Sequence, residues 1–352
     1  MNSRIDRLRQ AVAEQGLDAI LISQPENRRY LSGFTGSAGY LLISARSAVL
    51  ATDFRYTEQA QNQAPDFAVT RIEGEFAKWF PGLLASVGVE RLGFEAGGVS
   101  FVFYRQLAST VPEARLVPTE GVVESLRAVK DEAELELIVR AVELSDDVFD
   151  AVSSAIRPGM TERQVAWEFE RAMRDGGSET MPFNIIVASG PNAALPHHSP
   201  CDRAIREGEP IIVDMGARVG GYSSDLSRTI CIGRPDGFFG TIYHLVLEAQ
   251  RAAIAGIEGG MSGDEADAIA RRVIADGGYG DHFGHGLGHG IGLAPHEHPR
   301  LGKGSADSLC DGMVFTIEPG IYVSGWGGVR IEDVAVLTGG KPRMLSRASK
   351  LE

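Results

Sequence analysis

Hydrophobic positions along this chain change period repeatedly. In MNSRIDRLRQAVAEQGLDAI, residues Ile5, Leu8, Val12 and Leu17 form the apolar stripe of a first helix, expected over about residues 3–15. Short apolar runs follow: DAILIS, then YLLIS and SAVLAT, the last two reading as paired strands, after a turn at Gln24-Pro25-Glu26-Asn27. A helix over roughly 54–64, the strand FAVTRI, a helix over about 75–87 and the strand RLGFE continue the alternation. This pattern predicts a small α/β domain with a mixed sheet over residues 1–122. Residues 121–132, GVVESLRAVKDE, read as the joint to a second domain over 123–352. That domain opens with a long helix from Asp131, ended by Arg157-Pro158-Gly159. A second helix starts at Thr161, whose pairing with Gln164 is a capping box. Strands with glycine turns dominate 183–233, helices fall near 241–258 and 263–276, and the remainder is glycine-rich and strand-like.

Two stretches of the second domain carry acids that a hairpin would bring face to face. In IIVDMGARVGGYSSDLSRTI, Asp214 and Asp225 lie 11 residues apart, with Gly220-Gly221 almost midway. In TIEPGIYVSGWGGVRIEDV, Glu318 and Glu332 lie 14 residues apart, symmetric about Gly325. If each stretch folds back on itself, its acids become cross-strand partners with Cβ atoms about 5 Å apart. Like charges so placed destabilise a sheet, and burying them unpaired costs several kcal/mol each. Two such pairs predict two cations, and they hint at internal pseudo-symmetry.

Composition narrows the classes. A length of 352 residues fits two domains, and 43% hydrophobic with 23% charged residues is the balance of a soluble globular protein. A formal charge of −13 argues against nucleic acid or an anionic membrane as partner. No apolar run approaches the roughly 20 residues of a membrane span. Cys201, Cys231 and Cys310 show no CxxC spacing, so neither a disulfide framework nor a structural zinc site is expected, and a reducing cytoplasm suits them.

Between the acid pairs lies HFGHGLGHGIGLAPHEHPRLG. His285 and His289 have helical spacing, but the glycines around them favour an extended strand. An imidazole beside carboxylates is a common completion of a divalent-metal site. One imidazole and four carboxylates make a carboxylate-bridged dinuclear centre, with ions about 3.5–4 Å apart, able to turn water into a bridging hydroxide and polarise a carbonyl. The expected chemistry is hydrolysis.

VDMGARVGGYSSDLSRT, GHGLGHGIGLAPHEHP, TIEPGIY and GGVRIED resemble, in order and spacing, the pita-bread metallopeptidases, a family that includes methionine aminopeptidase, aminopeptidase P and prolidase, with creatinase as a metal-free relative. YLSGFTGSAGYLLI and ATDFRYTEQA resemble the N-terminal domain of the creatinase, prolidase and aminopeptidase P group. The resemblance implies an α/β (α+β) chain, a creatinase-like N-terminal domain followed by a pita-bread catalytic domain. It implies metal ligation by Asp214, Asp225, His289, Glu318 and Glu332, with Asp225 and Glu332 bridging. Glu318 also matches the carboxylate that takes the proton from the attacking water. His296 matches the histidine that handles the tetrahedral intermediate or leaving group, and His197 a second active-site histidine. His285, Tyr322 and Arg330 match residues that line the proline side or buttress the ligands.

The expected activity is an Xaa-Pro aminopeptidase with two divalent ions, Mn first and Co or Zn as alternatives, acting on proline-containing peptides as a cytoplasmic homodimer. An Xaa-Pro dipeptidase is the alternative, with Arg300 as a possible carboxylate capture group. A metal-free creatinase-like hydrolase and a non-enzymatic binding module are the remaining readings, and the five intact ligands and His296 weigh against both. Of the adjacent His197 and His198 only one can face the site; His197 is preferred, and His244, His282 and His298 read as surface residues.

Overall fold

The computed structural model of the chain describes residues 3–351, which divide between Arg127 and Ala128 into two compact units. The first unit runs α1 (Ser3–Glu14), β1 (Ala19–Ile22), α2 (Pro25–Ser32), β2 (Tyr40–Ser44), β3 (Ala48–Thr52), α3 (Thr57–Gln63), β4 (Ala68–Arg71), α4 (Phe76–Val87), β5 (Arg91–Glu95), α5 (Phe101–Thr110), β6 (Arg115–Thr119) and α6 (Val122–Ala128). Its six strands form one mixed sheet in the order β4-β3-β2-β1-β5-β6. The β1–β2 and β2–β3 pairs are antiparallel, while β1–β5, β3–β4 and β5–β6 are parallel. Strand β1 is buried throughout, as its unbroken AILI run requires.

The Gln24-Pro25-Glu26-Asn27 turn is corrected: Pro25 opens helix α2, at a position where its missing N–H costs nothing. Its buried residues are mostly polar, Asn27, Arg28 and Ser32 beside Tyr30 and Leu31, so no apolar period marks it. Buried Asn27 donates to Glu95 and Glu124, and the buried Arg28 guanidinium donates to the carbonyls of Gly36 and Gly39. Helix α5, capped by Ser100, and strand β6, which contains Pro118, also went unforeseen.

The second unit opens with α7 (Glu132–Ser153) and α8 (Glu162–Asp175), both started by reciprocal capping boxes, Asp131 with Glu134 and Thr161 with Gln164. There follow β7 (Ile186–Ser189), β8 (Pro210–Met215), β9 (Arg218–Val219), β10 (Tyr222–Ser223), β11 (Leu226–Cys231), α9 (Gly237–Gly256) and α10 (Gly263–Asp276). The unit ends with β12 (Gly288–Gly290), β13 (Glu297–Leu301), β14 (Val314–Ile317), β15 (Gly320–Val323), β16 (Gly327–Arg330), β17 (Asp333–Thr338) and β18 (Lys341–Met344). A sheet β11-β8-β7 packs on α7 and α8 around Phe149, Phe169 and Val213. A sheet β13-β12-β14-β17-β18 packs on α9 and α10 around Val246, Ile274 and Phe315. Each acid-bearing hairpin therefore has its own helix pair beneath it. The elements make a creatinase-type α/β unit followed by a pita-bread unit. Among the described residues, no helix is long and apolar enough to cross a membrane.

A candidate metal centre between two hairpins

The two hairpins set their acids in different registers. Gly220 and Gly221, both at positive φ (56° and 83°), form the tight turn between Val219 and Tyr222, as a two-residue hairpin loop demands. In that register Asp214 stands opposite Ser227, so Asp225 lies two residues along and faces Asp214 diagonally rather than directly. The second hairpin is symmetric about Gly325. Ile317 pairs with Asp333 below and Gly320 with Arg330 above, which places Glu318 and Glu332 opposite each other in the gap between the two ladders.

His289 sits at the centre of β12, in extended backbone. Its Nε2 is 3.6 Å from Asp225 Oδ2 and 3.4 Å from Glu318 Oε1. The flanking glycines are there for close approach: a Cβ on Gly288 would lie 2.0 Å from the Thr316 carbonyl oxygen, and one on Gly290 2.0 Å from that of His298. Asp225 and Glu332 are buried, while Asp214 and Glu318 are half-buried.

Electrostatics at this point are unbalanced. Burial pushes Glu318 up to about 8, with Asp214 adding to the shift and Arg330 and Thr316 opposing it. Burial, together with repulsion from the neighbouring acids, also drives Asp225 and Glu332 well above the ordinary carboxylate range. Asp214 Oδ1 and Glu332 Oε1 are buried and accept no hydrogen bond. Burial pushes His289 down to about 4, leaving a neutral imidazole of the kind a cation binds. Orphaned carboxylate oxygens, a neutral imidazole and a four-acid cluster fit divalent cations. Among the described residues, Asp225, His289 and Glu332 form one of two groups of three or more side chains whose ligand atoms converge.

A hydrogen-bonded chain backs the acids. Arg330 donates to Asp214 Oδ2 at 2.7 Å and to the Tyr322 hydroxyl at 2.8 Å, and that hydroxyl lies 2.8 Å from His285 Nε2. His285, Tyr322 and Arg330 are thus brought together beside Asp214. The His296 ring centroid lies 4.1 Å from that of His289. His197 lies in the neighbourhood of both His285 and His296. His198 turns away to Glu162, His298 pairs with Asp307 at the surface, and His282 bonds the Tyr322 carbonyl.

Sequence reasoning missed the supports. Thr316 Oγ1 accepts from the His289 N–H and donates to Glu318 Oε1, which ties the two across strands. Gln250 on α9 donates to the carbonyls of Ile317 and Ile331, the residues just before Glu318 and Glu332. Arg228 donates to the Glu332 carbonyl and to Asp333, which also receives Lys350 and Gln250. Lys130 forms a buried 2.8 Å ion pair with Glu297, next to His296. Thr316, Glu297 and Asp333 lie one or two positions from predicted site residues, while Gln250, Arg228, Lys350 and Lys130 come from distant segments with no local signal.

Residues 4–129 match the creatinase/prolidase N-terminal domain, and residues 136–339 match metallopeptidase family M24. The chain is 35% identical to an Xaa-Pro dipeptidase of Pyrococcus horikoshii, over 99% of this chain and 98% of that one. Among solved structures, an Xaa-Pro dipeptidase from Bacillus anthracis superposes with a TM-score of 0.97 at 41% identity, covering 99% and 98% of the two chains. An X-Pro aminopeptidase from Thermotoga maritima MSB8 gives 0.89 at 36% identity, covering 97% and 99%. With the family matched over more than half its length and relatives aligned end to end, this chain is an enzyme of metallopeptidase family M24.

Proposed function

We propose that the chain hydrolyses the bond before proline at the N-terminus of short peptides, with two divalent ions held by Asp214, Asp225, His289, Glu318 and Glu332. The observation that carries this reading is the convergence of four acids and a neutral imidazole, with two buried carboxylate oxygens lacking any donor. When bound, such ions supply Lewis acidity toward the scissile carbonyl and the attacking water. In this reading Glu318, half-buried and hydrogen-bonded to Thr316, takes that water's proton. His296, beside His289, stabilises charge on the tetrahedral carbon's oxygen or passes a proton to the proline nitrogen in this reading. His197 and the His285–Tyr322–Arg330 chain hold the substrate side.

Of the two substrate lengths, dipeptides are favoured. The relatives from Pyrococcus horikoshii and Bacillus anthracis, which match this chain end to end, are named as Xaa-Pro dipeptidases. The aminopeptidase alternative is supported by the Thermotoga likeness. Arg300 is exposed and donates to the Lys303 carbonyl, within reach of solvent-borne carboxylates. Hydrolysis of Gly-Pro against Arg-Pro-Pro decides the matter: turnover of the tripeptide alone overturns the dipeptide reading. Carboxylate-rich ligation suits Mn or Co over Zn. Metal analysis of protein purified without added ions is expected to find about two equivalents per chain, and the failure of any divalent ion to bind would undo the proposal. The reading includes a cytoplasmic homodimer, to be checked by light scattering and cell fractionation.

A further inference from the structure

The second converging group in this unit is Glu162, His198 and Cys201. Its electrostatics are the reverse of the acid cluster. Glu162 is fully buried at the first position of α8, where the helix N-terminus favours a carboxylate. Its Oε1 accepts from the Ser189 N–H (2.8 Å), the Ser189 hydroxyl (2.7 Å) and the Asn192 amide (3.0 Å). Its Oε2 accepts from His198 Nε2 (2.7 Å), the Cys201 N–H (3.2 Å) and Cys201 Sγ (3.1 Å). Burial opposes ionisation, but the bonds from Ser189, His198 and Asn192 outweigh it and hold the acid down to about 2. Neither oxygen has an unmet demand for a cation.

Every one of those donors lies on the segment 189–201, which has little regular structure of its own beyond the 3-10 turn Gly190–Ala194. That segment carries His197. On one side of His197, Arg330 donates to the Pro196 carbonyl at 3.4 Å; on the other, His198 is bound to Glu162. His197 is therefore bracketed between a residue of the catalytic chain and a residue of the carboxylate hub.

We propose that Glu162 is a positioning residue: by gathering the 189–201 segment around one buried carboxylate, it fixes His197 against the substrate side of the metal centre. This rests on the role proposed above for His197. A carboxylate with six donors is a stiff anchor, because removing it leaves several buried donors unpaired at once. A catalytic side chain released by even about 1 Å can lose on the order of 10²-fold in rate.

The experiment compares Glu162→Gln, His197→Ala and the double variant in the metal-loaded enzyme, with kinetics on the peptide it hydrolyses and hydrogen–deuterium exchange by segment. The expected result is a kcat loss for Glu162→Gln approaching that of His197→Ala, with no further loss in the double variant and with metal content unchanged. Exchange is expected to rise in 189–201 and to stay level across Asp214–Cys231 and Val314–Thr338. Should Glu162→Gln fail to fold, His198→Ala and His198→Gln substitute for it: the first is expected to lose rate, and the second, which restores an amide donor to Oε2, to regain it. Unchanged exchange in 189–201, or additive losses in the double variant, overturns the proposal. So does a third equivalent of Zn²⁺ that disappears on Cys201→Ser, since Glu162 would then be a ligand and not an anchor. Full activity of His197→Ala overturns the role of His197 itself, and the positioning proposal with it, while exchange still reports whether Glu162 orders the segment.

Discussion

Glu162 and Glu318 are acids of the same type in the same unit, and the fold treats them in opposite ways. Glu162 receives six hydrogen bonds from one segment and is held down to about 2. Glu318 receives one, from Thr316, and burial beside Asp214 pushes it up to about 8. Burial alone therefore does not mark a metal ligand; several acids buried against one another with few donors do. Asp214 Oδ1 and Glu332 Oε1 repeat the Glu318 condition. Asp333 shows the third solution. It lies next to Glu332, yet Arg228, Lys350 and Gln250 already compensate it, so it needs no ion.

The hardest test of this contrast is to remove each acid. Glu318→Ala is expected to abolish turnover by several orders of magnitude and to lower metal content, because ligand and proton acceptor leave together. Glu162→Gln is expected to keep both ions while losing rate. Metal analysis beside kcat separates the two. Equal metal loss in both variants would break the distinction between a ligand and an anchor.

Proton linkage gives the next largest effect. In the metal-free chain Glu318 is raised from 4.5 to about 8, so its contribution to stability is complete below about pH 4.5 and is lost as pH climbs toward 8. Asp225 and Glu332, also raised, act in the same direction. Glu162, lowered from 4.5 to about 2, contributes stability above pH 4.5 that is lost as pH falls toward 2. The melting temperature of chelated protein is thus expected to fall on both sides of mildly acidic pH. Adding Mn²⁺ should raise it far more at pH 8 than at pH 5, since the ions replace protons. A chelated melting temperature that climbs from pH 5 to 8 would mean the four acids are compensated from within the chain.

Lys350→Met probes the intermediate case. Asp333 would keep Arg228 and Gln250, and Lys350 is only partly buried, so the loss should be about 1–2 kcal/mol in urea unfolding, with both ions retained. Loss of metal in this variant would show that compensation of Asp333 reaches through to Glu332.

Much of this contrast was legible in the sequence on one side only. The spacing of Glu318 and Glu332 about Gly325 gave their pairing correctly, because the ladder is regular on both sides of the gap. The Asp214 and Asp225 pairing came out two residues off, since the Gly220-Gly221 turn centres the hairpin one residue later than the midpoint of the acids. The long helices were readable from their caps, Asp131 and Thr161. Helix α2 was not, because buried Asn27, Arg28 and Ser32 interrupt the apolar stripe that Tyr30 and Leu31 alone cannot make. The Glu162 hub left no trace: its donors are backbone N–H groups, a serine, an asparagine, a histidine and a cysteine, scattered over thirteen positions that a loop would hold anyway. Which buried acids carry donors depends on contacts between distant segments, and no local pattern encodes that.

The smallest effect tests redundancy at the hub. Cys201→Ala removes one weak S–H donor from Glu162 Oε2 and leaves five others, including the Cys201 backbone N–H. The expected cost is below about 1 kcal/mol, the range of a single replaceable hydrogen bond. Thr316→Val makes the complementary change at Glu318, taking away the one donor it has and also the acceptor for the His289 N–H. Urea unfolding of the two variants, each with and without Mn²⁺, then measures how much one donor matters where there are six and where there is one. A larger loss for Cys201→Ala than for Thr316→Val would mean that the donors around Glu162 act as a single cooperative unit, in which no member is spare.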